Sequence, residues 1–317
     1  MRRHPLYLLV LLLTWLLSLP ASAQFASGVC VDPSQSMLWE LRGGGLAEQG
    51  VQIHLLGSIH VGKPEFYPLH AEVEQRFRAA DQLVFEVDPQ AVASPQVAMQ
   101  MQLRGMLPGG QTLQDVLSTE TLGTLEQVLQ GIGIPMDNFM QFKPWMVALL
   151  LTNLQAGALG YDPRFGLESY LMGQRQADTP VLELESLEQQ LGMLEALHPE
   201  TFLGYSLQEY ASGSALMENM VAAWRCGDKE TLEGIVHEGD AQLDAVAPAQ
   251  RAHLEQIYDS LFTRRNLTMA DGIEAFAEDG SGSYFVVVGA GHLLGDGSVV
   301  ELLQQRGFEV EPVLLAP

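Results

Sequence analysis

The sequence predicts an α/β fold: a central mixed, partly parallel sheet flanked by helices, with a large helical cap over about residues 90–280. Three observations carry this expectation. Short β-rich runs alternate with helical patterns, as they do where helices pack on a sheet with parallel members. Two of those runs end in the same kind of turn, Gly57-Ser58-Ile59-His60 and Gly289-Ala290-Gly291-His292. The helical stretch between them is longer than the sheet can cover, so part of it must stand as a cap. No linker rich in Pro, Gly or Ser divides the chain, and residues 24–317 are expected to form one domain.

The N-terminus reads as an export address. Arg2 and Arg3 precede an apolar run over 6–19, followed by Ala21-Ser22-Ala23. An apolar run of about 14 residues rises only about 21 Å as a helix, short of a bilayer core of about 30 Å. It therefore predicts a cleavable signal peptide over 1–23 rather than an anchor. Cleavage after Ala23 leaves Gln24 first, with no Cys at the cut to carry a lipid. The mature protein is expected to be exported, periplasmic or secreted, and free of the membrane after cleavage.

The remaining elements follow in order. Runs at 37–42 and 51–56, separated by Gly43-Gly44-Gly45, predict a hairpin. Leu69, Val73, Phe77 and Ala80 fall at helical spacing and predict a helix over 67–80. A strand over 83–87 leads into Glu86-Val87-Asp88-Pro89. Helices are predicted over 95–106, 113–130, 144–159 and 167–177, with Pro144 at a first helical position. Trp145 and the leucines at 149–151 read as core of the cap. A strand over 181–184 closes with Glu185. A helical block then runs over 187–278, broken near Gly227-Asp228 and at Pro248. The chain ends with a strand over 284–288, a helix over 299–306 and a strand over 308–315.

The formal charge is −23, and loss of Arg2 and Arg3 with the signal takes two positive charges from it, giving −25. Such a surface repels nucleic acid and anionic lipid, which excludes both as partners. Cys30 and Cys226 are the two cysteines. In an oxidising compartment the pair is open to one disulfide or to two free thiols. There is no Cys-x-x-Cys and no Cys/His cluster, which argues against a cysteine metal site.

In open α/β sheets ligands bind outside the carboxyl ends of the strands. His60 and His292 both follow such ends, Glu86 follows another, and Glu185 a fourth. Side-chain alternation along a strand puts Glu86 and Asp88 on one face. Two neutral imidazoles with a carboxylate suit a borderline divalent metal ion, with His60, Glu86 and His292 as ligands. Such a site activates water for hydrolysis. Without metal, the same groups act as a His general base oriented by a carboxylate. A third reading makes the histidines axial ligands or donors to haem or another ligand without turnover. Asp88 and Glu185 are candidates for orienting an imidazole through its second nitrogen. His54, His70, His198, His237 and His253 lie within strands or helical runs and read as ordinary residues. Turn chemistry alone explains Asp296.

Several segments in order resemble the TraB/GumN family, which includes the TIKI proteases and is more distantly similar to erythromycin esterases and ChaN-like haem-binding proteins. They are Leu55-Leu56-Gly57-Ser58-Ile59-His60-Val61-Gly62, Phe85-Glu86-Val87-Asp88, Lys143-Pro144-Trp145, Gly166-Leu167-Glu168, Arg264-Arg265-Asn266-Leu267-Thr268-Met269-Ala270 and Val288-Gly289-Ala290-Gly291-His292-Leu293. The resemblance spans about residues 37–316. It implies a metal-dependent hydrolase acting on a peptide or other small substrate. His60 and His292 match the family histidines, Glu86 the acid between them and Arg265 the family arginine. The guanidinium of Arg265 is expected to fix a site carboxylate or a substrate carbonyl oxygen. Asn266, its neighbour in the same segment, is expected to support the site from behind. The Asn266-Leu267-Thr268 sequon lies in a helical run and is discounted as a glycosylation site.

Overall fold

Six strands are ordered by the way their sequence buries: β1 (Leu38–Gly43), β2 (Val51–Ser58), β3 (Gln82–Phe85), β4 (Val181–Glu183), β5 (Gly282–Gly289) and β6 (Phe308–Pro312). They form one sheet in the order β4-β3-β5-β2-β1-β6 in a computed structural model that describes residues 30, 32 and 34–316, apart from 214, 243–247 and 279–280. The signal peptide expected over 1–23 lies outside the described residues. β2, β5, β3 and β4 run parallel to one another, while β1 is antiparallel to both β2 and β6. The sheet is thus mixed and partly parallel, as the alternation of elements predicts, and the β1–β2 pair is the expected hairpin.

The central strand β5 is a continuous apolar run, Phe285-Val286-Val287-Val288, buried throughout. Strands covered on both faces read this way, because neither side chain of the alternating pair meets water. Its register with β2 sets Gly289 opposite Ser58 and Val288 opposite Gly57. The two Gly-x-x-His turns therefore leave the sheet side by side, offset by one residue.

Several predicted elements are shorter, each for a local reason. The helix predicted from residue 67 starts at Ala71. Pro68 disfavours a helical Tyr67, and the His70 imidazole accepts the Glu72 N–H at 3.3 Å as the N-cap. The helix predicted over 113–130 is divided into a 3-10 turn, Leu113–Asp115, and a helix, Thr119–Gly131, capped by Ser118. The last strand stops at Pro312, one residue before the Val313 N–H makes a final bond to the Leu38 carbonyl at 2.8 Å. The strand predicted over 83–87 stops at Phe85, before Glu86 and Asp88.

Trp145, Leu149 and Leu151 are buried in the helix Pro144–Ala158, as expected of cap core. Other helices of the 90–280 stretch stand over the carboxyl ends of the parallel strands. Trp224 Nε1 donates to the Gly57 carbonyl at 2.9 Å, and the Phe262 ring lies 5.4 Å from the His292 ring. The question left open for the cysteines is answered: Cys30 and Cys226 form a disulfide. It fastens the N-terminal arm to the end of the helix Ala215–Arg225, which carries Trp224. Lys229 Nζ donates to the Ser36 carbonyl at 2.6 Å beside it. Among the described residues no helix is long and apolar enough to cross a membrane.

Because the bridge closes a loop with a sequence separation of 196 residues, its loss frees a large unfolded ensemble. The Cys30→Ser, Cys226→Ser double variant is expected to lose about 2–5 kcal/mol of stability, read from the urea midpoint. A midpoint equal to wild type would contradict this.

Candidate active site

Four neighbouring parallel strands deliver the candidate residues to one edge. β2 leads to Ser58 and His60, β5 to His292, β3 to Glu86 and β4 to Glu185. The first of these exits is tightly packed at Gly57, where a Cβ would stand 3.1 Å from the Ala290 Cα.

His292 is fully buried. Its Nδ1 lies 2.6 Å from Asn266 Oδ1, while Asn266 Nδ2 donates to the Gly297 carbonyl at 2.9 Å. With the amide oriented that way, Oδ1 is the acceptor, so His292 Nδ1 carries the proton and Nε2 a lone pair. That lone pair has no hydrogen-bond partner and lies 3.8 Å from Glu86 Oε1. Burial, with the Arg265 charge adding to it against Glu86, lowers the pKa of His292 to about 3. Its imidazole is neutral. Asn266 thus joins His292 to the Gly297 carbonyl.

His60 is held differently. Its Nδ1 lies 2.7 Å from Glu168 Oε1, which also accepts from Ser58 Oγ at 2.5 Å. Burial works against the imidazolium, but the charge and hydrogen bond of Glu168 outweigh it, and the His60 pKa is raised. Glu168 reaches His60 because two segments are pressed together. The Leu167 N–H donates to the Ile59 carbonyl at 2.9 Å, and a Cβ on Gly166 would lie 2.4 Å from the His60 carbonyl oxygen. Only glycine permits that approach.

Arg265 follows a π-helical turn, Asp259–Thr263, at the start of the helix Arg264–Glu278. It is buried, and its guanidinium is shared by two carboxylates. Nε donates to both Glu185 oxygens at 3.0 and 2.9 Å, and Nη2 to Glu86 Oε2 at 2.6 Å and Glu185 Oε2 at 2.8 Å. Nη1 donates to the Leu261 carbonyl at 3.3 Å. Glu86 Oε1 accepts the Gly289 N–H at 2.5 Å. Burial alone would raise the Glu86 pKa. The Arg265 charge, the nearby imidazoles and the Gly289 N–H reverse this and hold it at about 2.

Of the two uses foreseen for Arg265, the structure contains the carboxylate clamp. Two expectations are corrected. Glu185 does not orient an imidazole: its oxygens take Arg265 and, at 3.1 Å, Gln190 Nε2. Asp88 does not share a strand face with Glu86, because β3 has already ended. Its carboxylate caps the next helix by accepting the Gln90 N–H at 2.8 Å. Glu168, Ser58 and Gln190 were not singled out as site residues. Glu168 sits in the first turn of a helix far along the chain, and its one sequence signal was the Gly166-Leu167-Glu168 segment.

His60, Glu86 and His292 are gathered, but among the described residues no three His, Cys, Asp or Glu side chains stand close enough to hold an ion. Both Glu86 oxygens already accept N–H groups. The donors nevertheless fit a cation in kind. A buried imidazole lone pair lacks a partner beside the Glu86 carboxylate, and Glu86 and Glu185 share the single Arg265 guanidinium.

A family model for the TraB/PrgY/gumN family matches residues 37–312. The uncharacterized protein YbaP of Escherichia coli is 29% identical over 254 residues, covering 79% of this chain and 87% of that relative. Metalloprotease TIKI1 of Danio rerio is 26% identical over 306 residues, and its Homo sapiens counterpart 25% over 308. Each covers 81% of this chain, which spans 60% and 59% of those two relatives. No solved structure matches the chain.

Two predictions follow from the packing. Gly166→Ala should push Glu168 off His60, read as a shifted His60 imidazole resonance in a folded protein. An unmoved resonance would contradict the close approach. Arg265→Met leaves two buried carboxylates unpaired and should lose about 3–5 kcal/mol at pH 7. Because Glu86 sits at about 2 in the fold and 4.5 outside it, the clamp stabilises above that upper value. The deficit of Arg265→Met should narrow as pH falls from 4.5 towards 2. A pH-independent deficit in denaturant midpoints would contradict the clamp.

Proposed function

The chain belongs to the TraB/PrgY/gumN family, and on that premise we propose that it is a metal-dependent hydrolase acting on peptides. The single observation that carries the reading is the buried, unpartnered Nε2 of His292 facing the Glu86 carboxylate. His60, Glu86 and His292 are the residues that would hold a divalent cation. When bound, such an ion supplies Lewis-acid activation of water and of a substrate carbonyl. That the TIKI relatives are named metalloproteases supports both the metal and the peptide substrate.

The chain's own residues divide the remaining work. Glu168 accepts the Nδ1–H of His60 and sets the ring, which leaves Nε2 as the nitrogen that would meet a cation. Asn266 fixes the tautomer and orientation of His292. Arg265 is a positioning residue. Its donors are taken by Glu86, Glu185 and Leu261, and it holds Glu86 in place without touching substrate. The cavity beside His60 measures about 30 Å³, room for one or two waters. The Cys30–Cys226 disulfide supports an oxidising compartment, in line with an export signal over 1–23.

His60→Ala and His292→Ala should each lower turnover of a validated peptide substrate at least about 100-fold with an unchanged circular dichroism spectrum. Glu86→Gln should lower rate and bound metal together. A chelator should abolish wild-type activity, and added divalent ion restore it. Full turnover by both histidine variants, or by wild type in chelator, would overturn the proposal.

A further inference from the structure

Two histidines away from the candidate site face each other within the cap. His198 stands at the start of the helix Pro199–Ser212, and His253 lies in the helix Pro248–Tyr258, which packs on it. Their rings are stacked, with centroids 3.8 Å apart and planes 13° from parallel. Thr201 bridges them, its Oγ1 lying 3.1 Å from Nδ1 of each ring. His198 Nδ1 is also the N-cap, accepting the Thr201 N–H at 3.3 Å. That nitrogen therefore carries no proton while the cap is made.

Acid acts on this joint in two ways. A proton on His198 Nδ1 removes the acceptor of the Thr201 N–H and sets a positive charge at the positive end of the helix dipole. A second proton, on His253, would place two like charges face to face. The surroundings offer little to offset either. Glu200 is the acid that favours a charged His198. Its carboxylate already accepts the Ser118 N–H at 2.9 Å and the Ser118 and Thr121 hydroxyls. The helix Pro144–Ala158, packed on the same helix, carries no titratable side chain. The helix Thr119–Gly131 brings Glu120 and Glu126. Pro248–Tyr258 brings Tyr258 and the Arg251–Glu255 pair at 3.0 Å. Burial, with the His253 charge adding to it against Glu200, lowers the His198 pKa.

The helix that carries His253 runs directly on into the site. It continues as the π-helical turn Asp259–Thr263 and then as the helix Arg264–Glu278. In that turn the Phe262 ring lies 5.4 Å from the His292 ring, and the Leu261 carbonyl accepts from Arg265.

We propose that the His198–His253 stack is an acid-operated joint of the cap: protonation frees the helix Pro248–Tyr258 from the start of Pro199–Ser212, and the loosening runs through the π-helical turn to the residues that cover His292. The proposal goes beyond the metal-dependent reading and holds whatever chemistry the site performs. Its direction follows from linkage. The packed joint holds His198 below its ordinary value of 6.5, so opening takes up a proton and gains as pH falls below that value.

Amide hydrogen exchange of the full-length protein at about pH 7.5 and about pH 5, with the intrinsic exchange rate divided out, tests this. In wild type, opening of residues 201–205 and 253–266 should be about tenfold more frequent at the lower pH, and opening of β5 should change less. His198→Asn keeps a capping oxygen but cannot titrate, and should hold the response of both segments under about threefold. His253→Gln removes the facing charge, should also cut the response, and decides if His198→Asn does not fold. An unaccelerated wild type, a β5 that opens as readily as the joint, or a folded variant that responds as fully as wild type overturns the proposal. Acceleration that stops at Tyr258, leaving 259–266 protected, overturns the link to the site. None of these outcomes bears on metal dependence, which is read separately from turnover in chelator.

Discussion

The guanidinium of Arg265 is the fixed point around which the candidate site is arranged. It ties Glu86, just past β3, to Glu185, just past β4, while the Gly289 N–H at the end of β5 holds the remaining Glu86 oxygen. Three strand ends are thereby locked through one buried cation. A buried ion pair gives little net stability against a well-packed apolar replacement, since desolvation offsets most of the attraction. What the clamp supplies is position: Glu86 is presented ionised, at a set distance from His292.

Around that point the two Gly-x-x-His turns, alike in sequence, have become chemically unlike. One imidazole is backed by a carboxylate and made more basic. The other is backed by a neutral amide beside a guanidinium and made far less basic. The two imidazoles thus differ in basicity, although each has its Nδ1 taken and keeps Nε2 for the site. The same cluster keeps buried acceptors unsatisfied, which a chain selected for stability alone would remove. Sites that break the rules of packing while the surrounding sheet obeys them are where function is to be sought.

Much of this was legible in the sequence. The β-rich runs, the hairpin, the glycines at strand exits and the paired histidines follow from local pattern, because strand burial and sharp turns constrain residues one by one. Arg265 came with the resemblance, and its guanidinium meets Glu86 and Glu185, while Asn266, its neighbour in that segment, meets His292. What was not legible depends on register between distant segments. Glu168 contacts His60 only because Gly166 lets a helix start press on the β2 exit, and no periodicity reports that. Asp88 was misplaced by two residues of assumed strand: alternation was extended past Phe85, where the backbone had already turned to be capped. Glu185 was placed at the right edge but given the wrong partner, since the nearest cation decided where its oxygens went. The disulfide was undecidable from two isolated cysteines, because pairing is set by the fold and not by spacing.

The central claim is that His60 and His292 meet at one sheet edge as two lone-pair nitrogens serving a single cation. Nitrogen-15 imidazole spectra of the full-length protein, recorded as a divalent ion is added, test it most directly. The account predicts that His292 begins as the neutral tautomer protonated at Nδ1. It predicts further that the Nε2 resonances of both His60 and His292 move together as the ion binds. If the ion binds while neither resonance responds, or if His292 carries its proton on Nε2 throughout, the account is contradicted.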